Sequence, residues 1–275
     1  GKLKKKAAEE VGIKSYDVEL PANVAQDELL QVISDLNADE DIHAILVQLP
    51  LPSHINSDEV LASIKPSKDV DGFGPMNVGR LCLYAKELLA MPSSSPMGES
   101  PSPSSSTSLA SSFCAMPCTA LGVIAMLQSL DMDFRGKSAV VVGRSRIVGM
   151  PVAILLQALD CTVTTIHSHT ANPQSYLSRA DIVVAAIGRP EFIQAEWLKP
   201  GAVVIDVGIN HKEDSTAKKG FKIVGDVDFE KAKHVSSSIS PVPGGVGPMT
   251  VAMLLKNTLN LARASIGLKP METFR

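Results

Sequence analysis

The sequence predicts an α/β protein built from two α/β domains, the second a Rossmann-like doubly wound parallel sheet, with a cleft between the domains. Short apolar runs alternate with helix-length segments along both halves of the chain, and this alternation is typical of parallel sheets flanked by helices. The chain has 275 residues, which is enough for two domains of ordinary size. A Gly-containing turn at residues 143–149 follows a run of small and β-branched residues, as at the start of a dinucleotide-binding sheet.

The first half of the chain reads as one α/β unit. Apolar residues recur at helical spacing between Gln26 and Asn37, and the run from Ile42 to Leu49 is apolar except for His43 and Gln48. A polar loop at residues 65–72 closes this unit. In order, we predict a helix at 2–11, a strand at 18–20, a helix at 26–37, a strand at 42–49 and a helix at 57–64.

The second half of the chain carries four short apolar runs separated by helix-length segments. This pattern predicts a doubly wound parallel sheet. In order, we predict a helix at 119–130, strands at 140–142, 163–166, 182–185 and 203–207, a helix near 229–232 and a long helix at 249–264.

Residues 92–112 differ from the rest of the chain, because they are rich in Ser and Pro and nearly free of apolar side chains. Such a segment lacks the apolar surface needed to offset the entropy of ordering, so we expect an exposed, mobile loop. We predict a catalytic domain at 1–118 containing this insert, a cofactor domain at 119–250 and a carboxy-terminal helix at 251–275 that returns to the catalytic domain.

The turn after the first run of the second half matches the dinucleotide fingerprint G-x-G-x-x-G only in part. Gly143 occupies the first position, Ser145 stands at the second, and Gly149 comes one residue late. An ordinary strand-to-helix turn is therefore an open alternative. We predict that Gly143 and Ser145 bind a cofactor.

Arg144 and Ser168 indicate which dinucleotide this turn would bind. The run at 163–166 ends in His167–Thr170, where an NAD-binding unit usually carries an acidic residue for the ribose 2′-hydroxyl. Arg144 and Ser168 instead offer a guanidinium and a hydroxyl to a 2′-phosphate. We therefore predict NADP rather than NAD, although a solvated Arg144 and a helix-capping Ser168 are open alternatives.

Composition narrows the class of partner. The formal net charge is −3 and the only basic cluster is short, at the amino end, so nucleic acid is not expected as a partner. No apolar run approaches the roughly 18 residues of a membrane span. The four cysteines lack zinc-ligand spacing, so we predict reduced thiols and no metal site.

Six short motifs occur in one order along nearly the whole chain except residues 92–112. They are Val47–Pro52, Lys68–Gly72, Pro117–Thr119, Gly143–Gly149, Asp206–Asn210 and Pro241–Thr250. In this order and approximate spacing, they resemble the bifunctional methylenetetrahydrofolate dehydrogenase/methenyltetrahydrofolate cyclohydrolase family.

The resemblance implies a function in one-carbon folate metabolism. A member of this family uses NADP to oxidise 5,10-methylenetetrahydrofolate to the methenyl cation, and water then converts that cation to 10-formyltetrahydrofolate. Both steps share one site, which needs a group able to move protons near a cationic substrate. The substrate class implied is therefore tetrahydrofolate derivatives.

Three residues of the first half are implied as catalytic by the resemblance. Lys4 aligns with the lysine of the family's Tyr-x-x-x-Lys motif, although composition alone would make it one of four exposed lysines. Gln48 resembles the glutamine that supports this lysine, and an amide inside an apolar strand needs a partner. Asp71 resembles the carboxylate that binds the pterin ring, the alternative being a turn-forming residue.

Further site residues follow from the same resemblance. Cys118 is implied as part of the substrate site wall rather than as a nucleophile. Residues 241–248 are too rich in Gly and Pro for a regular element, and we expect Pro243, Gly244 and Gly245 to border the folate. The resemblance also implies that the backbone of Ile209 contacts the nicotinamide.

The amino end departs from the family pattern. The tyrosine of the Tyr-x-x-x-Lys motif and the strand that opens the first domain would precede residue 1. We therefore expect an exposed edge in the first domain's sheet and doubtful activity of this chain.

Two alternatives remain open: a catalytically impaired relative that still binds NADP, and a monofunctional dehydrogenase that does not hydrolyse the methenyl compound. The family pairs as homodimers through the cofactor domain, so a homodimer is implied. We expect a cytoplasmic protein, with mitochondria and plastids open because the family's amino-terminal segment, where a targeting sequence would be read, is missing here.

Overall fold

The computed structural model describes residues 2–90, 113–217 and 220–271. The loop predicted at 92–112 lies outside the described residues. The chain divides into two compact units, the first comprising Gly1–Cys118 with Met253–Arg275 and the second Thr119–Ala252.

Helices and the loops between them build the first unit. Asn56 caps one helix by accepting hydrogen bonds from the backbone N–H groups of Asp58 and Glu59, at 3.1 and 3.3 Å. One apolar core cluster of this unit is formed by Val24, Ile33, Ile45, Ile55, Val60 and Ile64. The helices are α1 (Lys2–Glu10), α2 (Gln26–Ala38), α3 (Ser57–Ser63) and α4 (Pro75–Ala90).

The two strands predicted for the first unit are not formed. Val18–Leu20 has no strand assignment, and Ile42–Leu49 contributes only one parallel bridge, between Ile45 and Asp69. Ile45 donates to Lys68 O at 2.7 Å, and Val70 donates to Ile45 O at 3.4 Å. The apolar run therefore supplies a side chain to the core without a ladder of hydrogen bonds along its length.

The second unit is a sheet flanked by helices, and its four predicted strands are confirmed with small differences at their ends. Helix α5 (Cys118–Gln128) leads into it. The elements are β1 (Ser138–Val142), α6 (Gly149–Ala158), β2 (Thr162–Ile166), α7 (Gln174–Leu177), β3 (Ile182–Ala185), β4 (Val203–Asp206), β5 (Asn210–Glu213), β6 (Phe221–Val224), α8 (Phe229–Ala232), β7 (Ser238–Ile239) and α9 (Val246–Ser265).

The main sheet has five parallel strands in the order β2-β1-β3-β4-β7. The chain first moves from β1 to β2 and then crosses back to β3, so the winding direction reverses between β1 and β3. In open parallel sheets, ligands bind at the carboxyl ends of the strands beside such a reversal. Strands β3 and β4 are buried along their whole length, and this rigid centre fixes the loops that follow them.

Two buried carboxylates connect the loops at the carboxyl edge of this sheet. Asp206 ends β4 and accepts hydrogen bonds from the N–H groups of Gly208, Asp226 and Val227, each at 2.9 Å. Asp226 precedes α8 and is itself fully buried. Asp206 therefore fixes the segment at Gly225, where the chain passes so close that an added Cβ would lie 2.0 Å from the Asp206 carboxylate.

We expect Gly225→Ala to destabilise the second unit by about 2–3 kcal/mol, because a buried, hydrogen-bonded carboxylate has no room to move away from a new methyl group. Thermal and urea unfolding would measure this loss. Gly247→Ala is the matched control, since an added Cβ there meets nothing within 4 Å. Equal stability of the two variants would contradict the close packing at Gly225.

Candidate functional site

The residues predicted to carry chemistry fall into two groups, one in each unit. Lys4, Gln48, Asp71 and Cys118 lie in the first unit. The residues predicted to bind NADP and the Pro241–Pro248 loop lie in the second. We describe each group by itself.

On helix α1, Lys4 differs from the neighbouring lysines in its burial and in its partner. Lys4 is half-buried, whereas Lys5 and Lys6 are exposed and pair with Asp17 and Glu10. The Lys4 Nζ donates a hydrogen bond to Gln48 Oε1 at 3.3 Å. The basic cluster is therefore not one uniform solvated face, because one of its members turns towards the loop that carries Gln48.

The structural reason given for Gln48 is wrong, although Gln48 does contact Lys4. Gln48 is exposed and lies outside any strand, so burial does not force its amide to find a partner. Its Nε2 donates to Leu49 O at 3.0 Å, which leaves Oε1 directed to Lys4. The local bond to Leu49 therefore orients the amide.

Asp69 fixes the loop that carries Asp71. The Asp69 carboxylate is buried and accepts hydrogen bonds from Gly72 N–H at 3.0 Å, Gly74 N–H at 2.8 Å and Asn77 Nδ2 at 3.0 Å. Asp69 therefore satisfies the Gly72 and Gly74 N–H groups in the loop that leads to α4. The turn that carries Asp71 is held in place by these hydrogen bonds to Asp69.

The Asp71 carboxyl is in an environment that resists its charge. Burial raises its pKa to about 6, against the Lys4 ammonium and a hydrogen bond with the Cys118 thiol, which both lower it. Burial, reinforced by the Asp71 charge, also raises the pKa of Cys118 well above its usual value. At neutral pH, Asp71 is therefore a carboxylate beside a neutral thiol, and neutral thiols are weak nucleophiles.

In the second unit, Gly143 makes the turn after β1 possible. Its φ is +119°, and an added Cβ would lie 2.2 Å from Ala186 O in the loop after β3. Gly149 is equally constrained, because its Cβ would lie 2.3 Å from Gly143 O. The two glycines allow the backbone of the turn to run close to β3 at the point where the winding reverses, as a nucleotide site requires.

Ser145 satisfies the amino end of α6. Its hydroxyl accepts from Val148 N–H at 3.2 Å and Gly149 N–H at 3.3 Å, and its carbonyl accepts from Met150 N–H at 3.0 Å. These N–H groups are therefore already occupied. An anion at this turn would depend on side-chain donors rather than on the helix terminus alone.

The register of the sheet brings the loops that carry Arg144 and Ser168 out at the same edge. Val142 pairs with Ile166, and Gly143 N–H donates to Ile166 O at 2.8 Å, so the chain leaves both strands at the same level. Arg144 and Ser168 are both exposed at this edge. The helix-cap alternative for Ser168 is wrong, since α7 begins only at Gln174.

The loops after β3 and β4 are joined by Asp226. Its carboxylate accepts from the N–H groups of Ile187, Gly188 and Arg189 at 2.7, 3.0 and 2.9 Å, and from Asn210 Nδ2 at 2.9 Å. Between these anchors Ile209 is 66% exposed. An apolar side chain is thereby held in solvent at the edge where the strands end.

The Pro241–Pro248 loop follows β7 at the same edge of the sheet. Pro243 and Gly244 are exposed and Gly245 is buried. An added Cβ on Gly245 would lie 2.6 Å from Pro241 O. Helix α9 begins at Val246, inside the segment predicted to be irregular, so only the first half of this segment forms a loop.

Two residues that organise this site were missed by sequence reasoning. Asp69 and Asp226 are both buried acceptors of loop N–H groups. A flanking glycine was a signal in each case, because Gly72 and Gly225 mark places where backbone passes close to other atoms. Among the described residues, no cluster of three or more His, Cys, Asp or Glu could hold a metal ion, and none of the helices could span a membrane.

Comparison with known families identifies related proteins over most of the chain. Residues 1–71 match the tetrahydrofolate dehydrogenase/cyclohydrolase catalytic domain. Residues 117–266 match the tetrahydrofolate dehydrogenase/cyclohydrolase NAD(P)-binding domain.

Individual relatives agree with these matches. Bifunctional protein FolD 2 of Arabidopsis thaliana is 47% identical, covering 96% of this chain and 80% of its own length. The chloroplastic FolD 4 of the same plant is 46% identical over 94% of this chain and 65% of its own length. The crystal structure of Trypanosoma brucei N5,N10-methylenetetrahydrofolate dehydrogenase-cyclohydrolase, complexed with NADP cofactor and inhibitor, superposes with a TM-score of 0.84 at 42% identity, covering 97% and 82% of the two chains.

We expect Asp71→Asn to stabilise the protein at pH 7.5 by about 1–2 kcal/mol. The folded pKa of Asp71 is raised from 3.8 to about 6, so its ionisation disfavours the folded state as pH rises through this window. The gain should disappear as pH falls below about 4. Chemical denaturation across the pH range would measure it.

Asp181→Asn is the control of opposite sign. Lys199 and the Ser138 N–H lower the pKa of Asp181, so this variant should be less stable than wild type at neutral pH and approach it in acid. Stabilisation by both variants, or by neither, would contradict the assignment of Asp71 to a charge-disfavouring environment.

Proposed function

The chain belongs to the tetrahydrofolate dehydrogenase/cyclohydrolase family, and from that premise we propose that it oxidises 5,10-methylenetetrahydrofolate to 5,10-methenyltetrahydrofolate with NADP and hydrolyses the product to 10-formyltetrahydrofolate. The motifs predicted this pair of activities, and the bifunctional relatives agree with it. The observation that carries the proposal is the contact of Lys4 with Gln48 beside Asp71.

The residues at the turn after β1 fit NADP. Gly143 lets the turn pass close to the Ala186 carbonyl, where a Cβ would lie 2.2 Å from the oxygen, and Arg144 and Ser168 follow adjacent strands that end at the same level. We assign Arg144, Ser145 and Ser168 to the 2′-phosphate, and the Ile209 backbone to the nicotinamide. When bound, NADP supplies the hydride acceptor for the oxidation.

Lys4 is assigned to proton movement in the hydrolytic step. Gln48 Oε1 accepts one hydrogen bond from Lys4 Nζ and so fixes where the amine lies. When water attacks the methenyl carbon, Lys4 Nζ passes one proton of that water to the folate nitrogen whose bond to carbon breaks, and the second proton leaves to solvent as the attacking oxygen becomes the formyl oxygen. General acid–base transfer by a positioned group is worth about 10²–10⁴-fold in rate.

Asp71 is assigned to binding of the pterin ring. Its pKa of about 6 leaves it ionised at neutral pH, so two carboxylate oxygens are available to parallel N–H donors of the pterin. Cys118 donates to Asp71 as a neutral thiol and forms part of the wall. In the second unit, we assign Pro243, Gly244 and Gly245 to the border of the folate.

The alternatives of an impaired relative and a monofunctional dehydrogenase are not favoured. The Arabidopsis relative is a bifunctional protein and the Trypanosoma brucei relative a dehydrogenase-cyclohydrolase, which supports both activities, and the Lys4–Gln48 contact positions the group that hydrolysis needs. We further propose a homodimer, by family resemblance. We place the protein in the cytoplasm, in keeping with its four free thiols, although one relative is chloroplastic.

Lys4→Met should lower the rate of methenyltetrahydrofolate hydrolysis about a hundredfold or more, because it removes the group that moves the proton. The decay of the methenyl absorbance band would measure this rate. Lys6→Met is the matched control, a lysine of the same helix that is 79% exposed. The assignment of Lys4 fails if both variants lose hydrolysis equally, or if Lys4→Met retains it.

Arg144→Ala should weaken NADP binding about ten- to a hundredfold and leave NAD binding unchanged, since a charge-assisted hydrogen bond to the 2′-phosphate is worth about 1.5–3 kcal/mol. Calorimetric titration with each dinucleotide measures both affinities. Arg146→Ala in the same turn is the control and should bind NADP as wild type does. A loss confined to Arg146→Ala would move the 2′-phosphate contact to that arginine.

A further inference from the structure

Asn257 joins the two loops that carry Asp71 and Cys118. It lies in the first unit's part of α9 and is only 3% exposed. Its Nδ2 donates to Val70 O and to Met116 O, both at 2.9 Å. One carbonyl directly precedes Asp71 and the other lies two residues before Cys118, so a single amide connects the two segments.

The same amide also reaches the thiol. Asn257 Nδ2 lies 3.4 Å from Cys118 Sγ, and Cys118 Sγ lies 3.6 Å from Val70 O. The two loops are in direct backbone contact as well, because an added Cβ on Gly72 would lie 2.3 Å from Ala115 O. Asn257 therefore sits at the point where the two loops meet, on the side away from solvent.

We propose that Asn257 is a positioning residue for folate binding: by holding the carbonyls of Val70 and Met116 together, it fixes the spacing between the Asp71 carboxylate and the Cys118 thiol. This inference rests on the proposed function for its folate part. It adds a residue of α9 to the first unit's group of site residues, which otherwise comes from the first 118 residues.

The chemistry of the asparagine amide suits this role. Its NH₂ group has two hydrogens, and the two carbonyls at 2.9 Å use both. Leucine has a similar size but no donor, so Asn257→Leu keeps the volume and leaves two buried carbonyls without their partner. Those carbonyls would then turn towards other donors, and the Asp71–Cys118 spacing would change with them.

Asn260 offers a matched control on the same helix. It is also 3% exposed, and it holds the segment at Met271 through a bond from Met271 N–H to its Oδ1 at 2.7 Å. Among the described residues, the side-chain hydrogen bonds of Asn260 are with Met271 and not with the loops that carry Asp71 and Cys118. Asn260→Leu therefore tests the general loss of a buried amide from α9 without disturbing Asp71 or Cys118.

The first measurement is steady-state oxidation of 5,10-methylenetetrahydrofolate by wild type, Asn257→Leu and Asn260→Leu. Displacement of positioning groups by about 1 Å can cost about a hundredfold, so Asn257→Leu should raise the KM for the folate at least about tenfold. Its KM for NADP should stay at the wild-type value, since the predicted NADP residues lie in the other unit. A folate KM equal to that of Asn260→Leu would overturn the inference, whatever the two melting temperatures.

The second measurement does not depend on catalysis. Iodoacetamide labelling with peptide mass spectrometry gives the alkylation rate of Cys118, with Cys161 of the second unit as internal reference. Loss of the two hydrogen bonds from Asn257 to the loop carbonyls should raise the alkylation rate of Cys118 about tenfold or more in Asn257→Leu, but not in Asn260→Leu. An unchanged alkylation rate of Cys118 in Asn257→Leu would contradict the positioning role of Asn257, even if the enzyme is active.

The two measurements separate the inference from the proposed function. If wild type oxidises no folate while Cys118 is alkylated faster in Asn257→Leu, the proposed function fails, but the role of Asn257 in holding the two loops together stands. If wild type is active and Asn257→Leu changes neither the folate KM nor the Cys118 rate, the proposed function stands and Asn257 has no positioning role.

Discussion

Loop N–H groups held by buried carboxylates are the constraint on which both units depend. Apart from Lys4 on α1 and Cys118 at the start of α5, the proposed site residues lie in segments that are neither strands nor helices, so the backbone donors of these segments need acceptors from elsewhere. Asp69 provides them in the first unit, and Asp206 and Asp226 provide them in the second. An irregular loop becomes a fixed support when a short, charged side chain accepts several of its N–H groups.

This solution brings charge into places that disfavour it. Burial raises the pKa of Asp206 to about 6 even though three N–H groups lower it. Burial also raises the pKa of Asp71 to about 6, but the groups that lower it are the Lys4 ammonium and a thiol rather than a set of N–H groups. The carboxylate of Asp206 is thus committed to the backbone, whereas that of Asp71 keeps acceptor capacity for a ligand. Proposed binding groups and structural groups are distinguished here by their hydrogen-bond partners, not by their pKa.

Sequence reasoning succeeded where local signals and tertiary contacts agree. The runs at β3 and β4 are apolar, β-branched and buried on both faces, so composition alone located them. The run at Ile42–Leu49 has the same composition, yet only Ile45 finds a bridge partner, because strand formation depends on a neighbour that composition does not specify. Helix α4 was missed although Pro75 occupies its first turn, where proline is favoured.

The same difference between local signals and tertiary contacts separates the site residues that sequence reasoning found from those that it missed. Motif resemblance named the residues that we propose to face a ligand, and Lys4 contacts Gln48 as predicted, although for a different structural reason. The supporting residues were invisible because their partners are remote in sequence: Asn257 binds carbonyls 187 and 141 residues away. A polar residue inside an apolar helical run was the available signal, since a buried amide must find a partner. That argument failed for the exposed Gln48 and holds for Asn257, so its force depends on whether the helix or loop is buried, and burial is a property of the folded chain.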